Sequence, residues 1–192
     1  MSGQDHDSLP LKAALARYFV TNGFAPDGGY GASWVTGKFG PVPFAFPNLE
    51  ARVRAVRFHD LHHIVTGYDT DSAGEGEISA WEIATGCGTF WAAWLLNLSG
   101  MTVLFPVAPR RIYRAFVRGR HSENLYRREY DSQLLATSVG EIRQQLLGGE
   151  TISATARDRA AFGLWFAVGA CATLAPLGIL LATLVAATRW IA

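Results

Sequence analysis

The chain has 192 residues, is 49% hydrophobic against 17% charged, and carries a formal net charge of +1. That length and composition suit one packed domain plus an apolar anchor, and the near-neutral charge excludes a nucleic-acid binder held by phosphate contacts. Two cysteines, Cys87 and Cys171, exclude a disulfide framework or a zinc ribbon and read as small apolar fillers.

The opening M-S-G-Q-D-H-D-S is acidic. It has neither the apolar core of a signal peptide nor the Arg-rich, acid-poor character of a transit peptide. This favours a bacterial protein whose domain stays in the cytoplasm. Ser8 and Pro10 open an amphipathic helix to about Thr21, with Leu11, Leu15, Tyr18 and Phe19 as its apolar positions. From Gly23 to Pro47 the chain is rich in Gly, Pro and aromatics, which punctuate rather than build helix. Phe39, Phe44 and Phe46 are expected to plug the core from this insert, with a lid as the alternative. The glycines there lack the spacing and the Lys-Ser/Thr of a phosphate-binding loop.

Asn48 to Thr66 predicts a helix, capped by Asn48 and stopped by Gly67. Its apolar stripe of Leu49, Val53 and Val56 continues at helical spacing into Asp60 and His63, so two polar groups point where the core should be. Buried polar groups need partners. His59 and His63 lie about 40° apart on the helix surface, with Asp60 on the same wide face. His62 is an alternative to His63 as ligand, or a group that steadies a ligand from behind. A second helix is predicted from about Ser72 to Thr85, with Glu75 in its first turn. A short turn would return that carboxylate to the His pair, as in metal sites inside helix bundles. Asp69 and Asp71 in the turn are further candidates, though turn and cap duties explain them.

The stretch Ile83 to Pro109 carries no charge. Asn97, Ser99, Gly100, Pro106 and Pro109 are expected to break it into two buried helices rather than a membrane span. Its apolar side chains Phe90, Trp91, Trp94, Leu95, Leu98, Met101, Val103, Leu104 and Phe105 form either ordinary core or a slot for an isoprenoid tail. Arg110, Arg114 and Arg118 then share one helix face. Such a stripe is a solvated surface that beside a membrane also attracts anionic lipid head groups. Ser122 is expected to cap another helix, and Ser138 with Glu141 a last one by a capping box.

Gly148 and Gly149 mark a hinge, dividing a helical domain, 1–149, from a membrane anchor, 150–192. From Ala160 to Thr188, 29 consecutive residues carry no charge, more than the about 20 needed to cross a bilayer. Arg157, Arg159 and Arg189 flank the run, and Trp165 and Trp190 suit the interfaces. A single span kinked at Pro176 and Gly178 is expected, with a re-entrant hairpin or a buried helix as alternatives. The fold class is therefore all-α: a compact helical domain with a Gly/Pro/aromatic insert and a C-terminal transmembrane helix.

The string H-D-x-x-H-x11-E, carried by His59, Asp60, His63 and Glu75, resembles the signature of the coenzyme Q biosynthesis family Coq-four. V-R-G-R-H-S-E-N-L-Y-R-R-E-Y, Val117 to Tyr130, with the following E-I-R-Q-Q-L-L, is similar to that family's C-terminal region. The likeness covers roughly Leu11 to Leu147. It implies a helical, membrane-associated protein in which His59, Asp60, His63 and Glu75 bind a divalent metal, usually zinc, with Fe(II) as an alternative that suits oxygen chemistry. It further implies action on an isoprenoid quinone precursor, with loss of the ring carboxylate and gain of a hydroxyl, in company with other quinone-biosynthesis proteins. The alternative is a non-catalytic lipid-binding scaffold that gathers those enzymes. Bacterial cytoplasmic membrane is the expected location, and the oligomeric state stays open between monomer and homodimer. The apolar tail departs from the family pattern of peripheral association.

Overall fold

The computed structural model describes residues 7–39, 42–147 and 153–191, without the side chains of 38, 39, 42, 44, 176–182 and 184–191. It is largely helical. Helices α1 (Leu11–Thr21), α2 (Glu50–Thr66), α3 (Ser72–Thr85), α4 (Trp91–Leu104), α5 (Pro109–Arg120), α6 (Ser132–Ala136), α7 (Val139–Leu146) and α8 (Ala156–Ile191) follow one another along the chain. A hairpin of β1 (Trp34–Phe39) and β2 (Val42–Pro47) lies between α1 and α2.

That hairpin corrects the all-α expectation. The insert is irregular only in its first half. V-P-F-A-F-P alternates bulky and small residues at the period of a strand, and in register Val35 faces Phe46 and Thr36 faces Ala45. Phe46 is half-buried rather than a core plug, and the side chains of Phe39 and Phe44 lie outside the described residues.

The strongest sequence signals fix α3. Asp71 accepts from the Gly74 N–H at 2.7 Å, and Gly86 ends the helix. Asn48 does not cap α2. The helix starts at Glu50, while the Asn48 amide donates to the Ala32 carbonyl at 2.8 Å and its oxygen accepts from Arg52 at 2.9 Å, so it ties the hairpin base to the helix. Gly67 closes α2 in the left-handed conformation, φ 77°, which glycine adopts without a Cβ clash. Ser122 is not the cap of the turn that follows; its hydroxyl donates back to the Arg118 carbonyl, and Asn124 caps that 3-10 turn.

The core gathers Leu11, Leu15 and Phe19 of α1, Phe58, Leu61 and Val65 of α2, and Ile112 and Phe116 of α5. Glycines set the approach of α3 to α5. A Cβ on Gly119 would sit 2.7 Å from the Trp81 carbonyl oxygen, and one on Gly76 would sit 2.6 Å from Ile112 Cδ1.

α4 corrects the expectation of two buried helices. It runs unbroken through Asn97, Ser99 and Gly100, and Pro109 opens α5 instead of ending anything. Only one face is buried. Trp91, Leu95 and Val103 point outward, 57%, 50% and 42% exposed. The first half of α8 packs on this helix and on α5: Trp94 stacks on Trp165 at 5.1 Å, and Phe162 meets Phe105 and Phe116. Its opposite face leaves Leu164 and Leu174 exposed. α8 is continuous through Pro176 and Gly178. Among the described residues no helix is long and apolar enough to cross a membrane. The span expected at 160–188 falls in good part on side chains beyond those described, and the hinge at Gly148–Gly149 lies outside the described residues.

Candidate metal centre

α2 and α3 bring three of the four expected ligands together. His59 Nε2 lies 3.5 Å from one Glu75 oxygen, His63 Nε2 lies 3.5 Å from the other, and the two Nε2 atoms are 3.2 Å apart. The ligand atoms of His59, His63 and Glu75 all fall within 4.8 Å of one another and could hold a metal ion. The spacing suits that role. A tetrahedral ion with bonds of about 2.0–2.2 Å holds its ligands about 3.3–3.6 Å apart.

The protonation of both rings follows from their far sides. His59 Nδ1 lies 3.1 Å from Glu82 Oε1 and His63 Nδ1 lies 3.0 Å from the Tyr68 carbonyl oxygen. Carboxylate and carbonyl oxygens only accept, so each Nδ1 carries the hydrogen and donates. Once a metal displaced the proton held on His59, that arrangement would direct an Nε2 lone pair from each ring at the shared centre, and it fixes ring orientation in the way metal-bound histidines require. Glu82 and Tyr68 are thus working parts of the site.

Glu82 is the residue that sequence reasoning missed. It is fully buried and its oxygens accept from His59 Nδ1, from His62 Nδ1 at 2.7 Å, from the Tyr126 hydroxyl at 2.6 Å and from the Asn97 amide. Burial pushes the Glu82 carboxyl up, but the charges and hydrogen bonds of His59 and His62 outweigh it and hold the group well below the usual range. The signal was present: Glu82 follows Glu75 by seven residues, two turns on the same face, inside the apolar run I-S-A-W-E-I-A.

His62 does not join the ligand cluster but supports it at one remove, by donating to the carboxylate behind His59. Its Nδ1 donates to Glu82 while its Nε2 accepts from the Leu125 N–H at 2.9 Å, so both nitrogens are used and the ring is neutral. Burial above all lowers its pKa. For His59, burial also pulls downward, yet the Glu82 charge and the bonds to Glu75 and Glu82 leave it well above 6.5. Glu75 is held at about 2 in spite of partial burial, because it faces both rings. Two carboxylates, Glu75 in front and Glu82 behind, supply the charge that would balance a divalent ion.

Asp60 stands apart. Its carboxylate is buried and accepts from the Tyr30 hydroxyl at 2.6 Å. It does not belong to the cluster, and burial raises its pKa. Asp69 and Asp71 do not join the cluster either; Asp71 serves as a cap. Asp60, His59 and Glu75 nonetheless line one cavity of about 410 Å³, walled by Tyr18, Phe24, Phe46 and Leu104. Of the side chains expected to form an isoprenoid slot, only Leu104 reaches it; Leu98 and Met101 are core, and Trp91, Leu95 and Val103 face outward.

The Arg stripe is divided. Arg110 and Arg114 are exposed, whereas Arg118 donates to the Thr66 carbonyl at 3.1 Å and lies over the Tyr68 ring. Together with Arg111, paired to Glu77 at 2.6 Å, they border a groove of about 800 Å³ that Tyr68 also lines.

No family model, no curated protein and no solved structure matches the chain.

Proposed function

We propose that this protein is a metal-dependent enzyme of ubiquinone biosynthesis, which replaces the ring carboxylate of a polyprenylated benzoate by a hydroxyl at a membrane. The observation that carries the metal-dependent part is the pair of imidazoles whose Nδ1 atoms are occupied and whose Nε2 atoms meet Glu75, with His59 and Glu75 lining a cavity. The choice of reaction rests on the H-D-x-x-H-x11-E string and the second matching stretch.

Three protein ligands suit catalysis, because they leave a fourth position for substrate or water. A divalent ion held there would polarise a carboxylate or phenolate, and iron, unlike zinc, would add oxygen chemistry. The net change breaks the bond from the ring to the carboxylate carbon, which leaves as CO2, and forms a ring C–O bond with the oxygen of a water molecule, while two electrons and two protons pass to dioxygen and leave as hydrogen peroxide. Glu82 and the Tyr68 carbonyl keep the two rings aimed. Asp60 lines the cavity and accepts from the Tyr30 hydroxyl, which it holds in place beside the occupant.

Membrane attachment is part of the proposal. The uncharged run 160–188 would span the bilayer, the outward apolar faces of α4 and α8 would adjoin it, and Arg110 and Arg114 would each gain about 1 kcal/mol from anionic head groups. Those apolar faces equally favour the second reading, a lipid-binding scaffold. One experiment separates the two: metal analysis of the purified full chain, then aerobic turnover of a prenylated 4-hydroxybenzoate by wild type and by Glu75→Gln. An enzyme loses turnover in the variant while keeping its fold. Full conversion by Glu75→Gln with its metal retained would establish the scaffold instead.

A further inference from the structure

The cavity holds a charge that the metal cluster does not use. Arg52 is the one Lys or Arg side chain among the described residues that line it. It sits seven residues before His59 on α2, two turns away on nearly the same face, with about 10.5 Å between the Cα atoms. One Nη donates to Asn48 Oδ1 at 2.9 Å, and the guanidinium stands 5.8 Å from the Phe46 ring centroid. Its Nε is shut off from solvent and has no hydrogen-bond partner among the described residues. A buried donor left unmatched is costly, and a guanidinium matches a carboxylate with two parallel bonds.

We propose that Arg52 recognises the charge of the cavity's occupant, binding the carboxylate of an aromatic acid whose ring lies between Phe46 and the His59–Glu75 cluster. This rests on the functional reading above and deepens it. A cation that reads the carboxylate prefers the precursor over the decarboxylated product, so the same contact admits one and releases the other. Arg52 is in this view a specificity residue. The competing role, a latch that joins α2 to the hairpin through Asn48, is separable because Asn48→Ala breaks the latch and leaves the guanidinium in the cavity.

The test measures dissociation constants on the zinc-loaded full chain with three probes: farnesylated 4-hydroxybenzoate, its neutral methyl ester, and unprenylated 4-hydroxybenzoate. Loss of a charge-assisted pair in Arg52→Gln should weaken the farnesylated acid about 10- to 100-fold and leave the ester within about two-fold. Asn48→Ala should keep the preference for the acid. Arg52→Lys, which retains charge without the fork, should fall between. If wild type binds ester and acid alike, or if Arg52→Gln weakens both equally, the proposal is overturned while the quinone-precursor reading stands. If the farnesyl chain adds nothing but Arg52 still governs the preference for acid, the precursor reading fails and the role of Arg52 stands. Binding of none of the probes overturns both.

Discussion

Glu82→Gln is the substitution on which the centre's construction can be judged. The change keeps volume and one acceptor oxygen but removes the charge. His62 cannot change tautomer without giving up the Leu125 N–H, so the new amide oxygen must stay toward the two histidines and its NH2 must face Tyr126 and Asn97. Tyr126 can turn its hydroxyl to accept, which repairs one contact. Bonds to a charged acceptor are worth about 1.5–3 kcal/mol against about 0.5–1.5 for a neutral one, so the two histidine bonds lose about 1 kcal/mol each. Relief of the buried charge offsets part of this. The melting temperature of the metal-free protein should fall by no more than about 8 °C, and zinc affinity should fall about 10- to 100-fold. Chelator competition and thermal unfolding on the same preparation measure both. Glu82→Ala is a different perturbation, since it strands four buried donors at about 1–3 kcal/mol each, comparable with the whole stability of a domain, and should not fold. Were Glu82→Gln to bind zinc within about two-fold of wild type while His63→Ala lost it, the carboxylate behind His59 would have no part in metal binding.

His59 is held well above 6.5 in the metal-free protein, so zinc must displace its proton near neutral pH. Calorimetry in buffers of different ionisation heat should report about one proton released per ion, and a buffer-independent heat would count against this. For stability, Glu75 is depressed from 4.5 to about 2: its contribution is present above 4.5 and lost as the pH falls toward 2, while that of His59 is present below 6.5 and lost as the pH rises through its folded value. Denaturation midpoints of the metal-free protein should decline at both ends, and Glu75→Gln should flatten the acid side. Gly119→Ala places a methyl group against the Trp81 backbone and Ala84, and should cost about 1–3 kcal/mol in chemical unfolding with metal affinity retained. If 160–188 spans a membrane, the full chain should resist carbonate extraction and a truncation after Gly149 should not; release of the full chain by carbonate would refute the span.

The sequence foretold the helices whose ends carry chemical punctuation. Asp71 and Gly86 bracket α3, and Ser138 with Glu141 opens α7 through the expected contact, 3.2 Å from the Glu141 N–H to the Ser138 hydroxyl. Where one residue could serve two masters, the reading failed. Asn48 after a proline is a plausible cap, but three backbone carbonyls of the preceding loop lie within its reach and take its amide instead. Asn97 and Gly100 looked like helix breakers. Inside α4 the asparagine is held by Glu82, and the glycine lets the Ser79 side chain come close, so tertiary contacts reversed their local preference.

The site was legible by the same logic and failed at the same kind of point. Helical spacing correctly turned His63 and Asp60 inward, both buried, but periodicity reports that a polar group faces the core and not which partner it finds there. Asp60 finds Tyr30, thirty residues upstream in an insert that carries no helical periodicity. Glu82 finds four donors from two helices, α2 and α4, and from the 3-10 turn after α5. Two carboxylates one pair of turns apart on α3 therefore divide the work, Glu75 facing the ion's position and Glu82 holding a ring that faces it. A carboxylate that binds metal must keep oxygens free, whereas one that holds ligands must have them filled, and only the three-dimensional neighbours decide. On this ground Asp60, already committed to a phenol, is a poorer candidate ligand than its place in the H-D-x-x-H string suggests. Asp60→Asn should accordingly cost less zinc affinity than Glu75→Gln; the reverse order would return Asp60 to the ligand set.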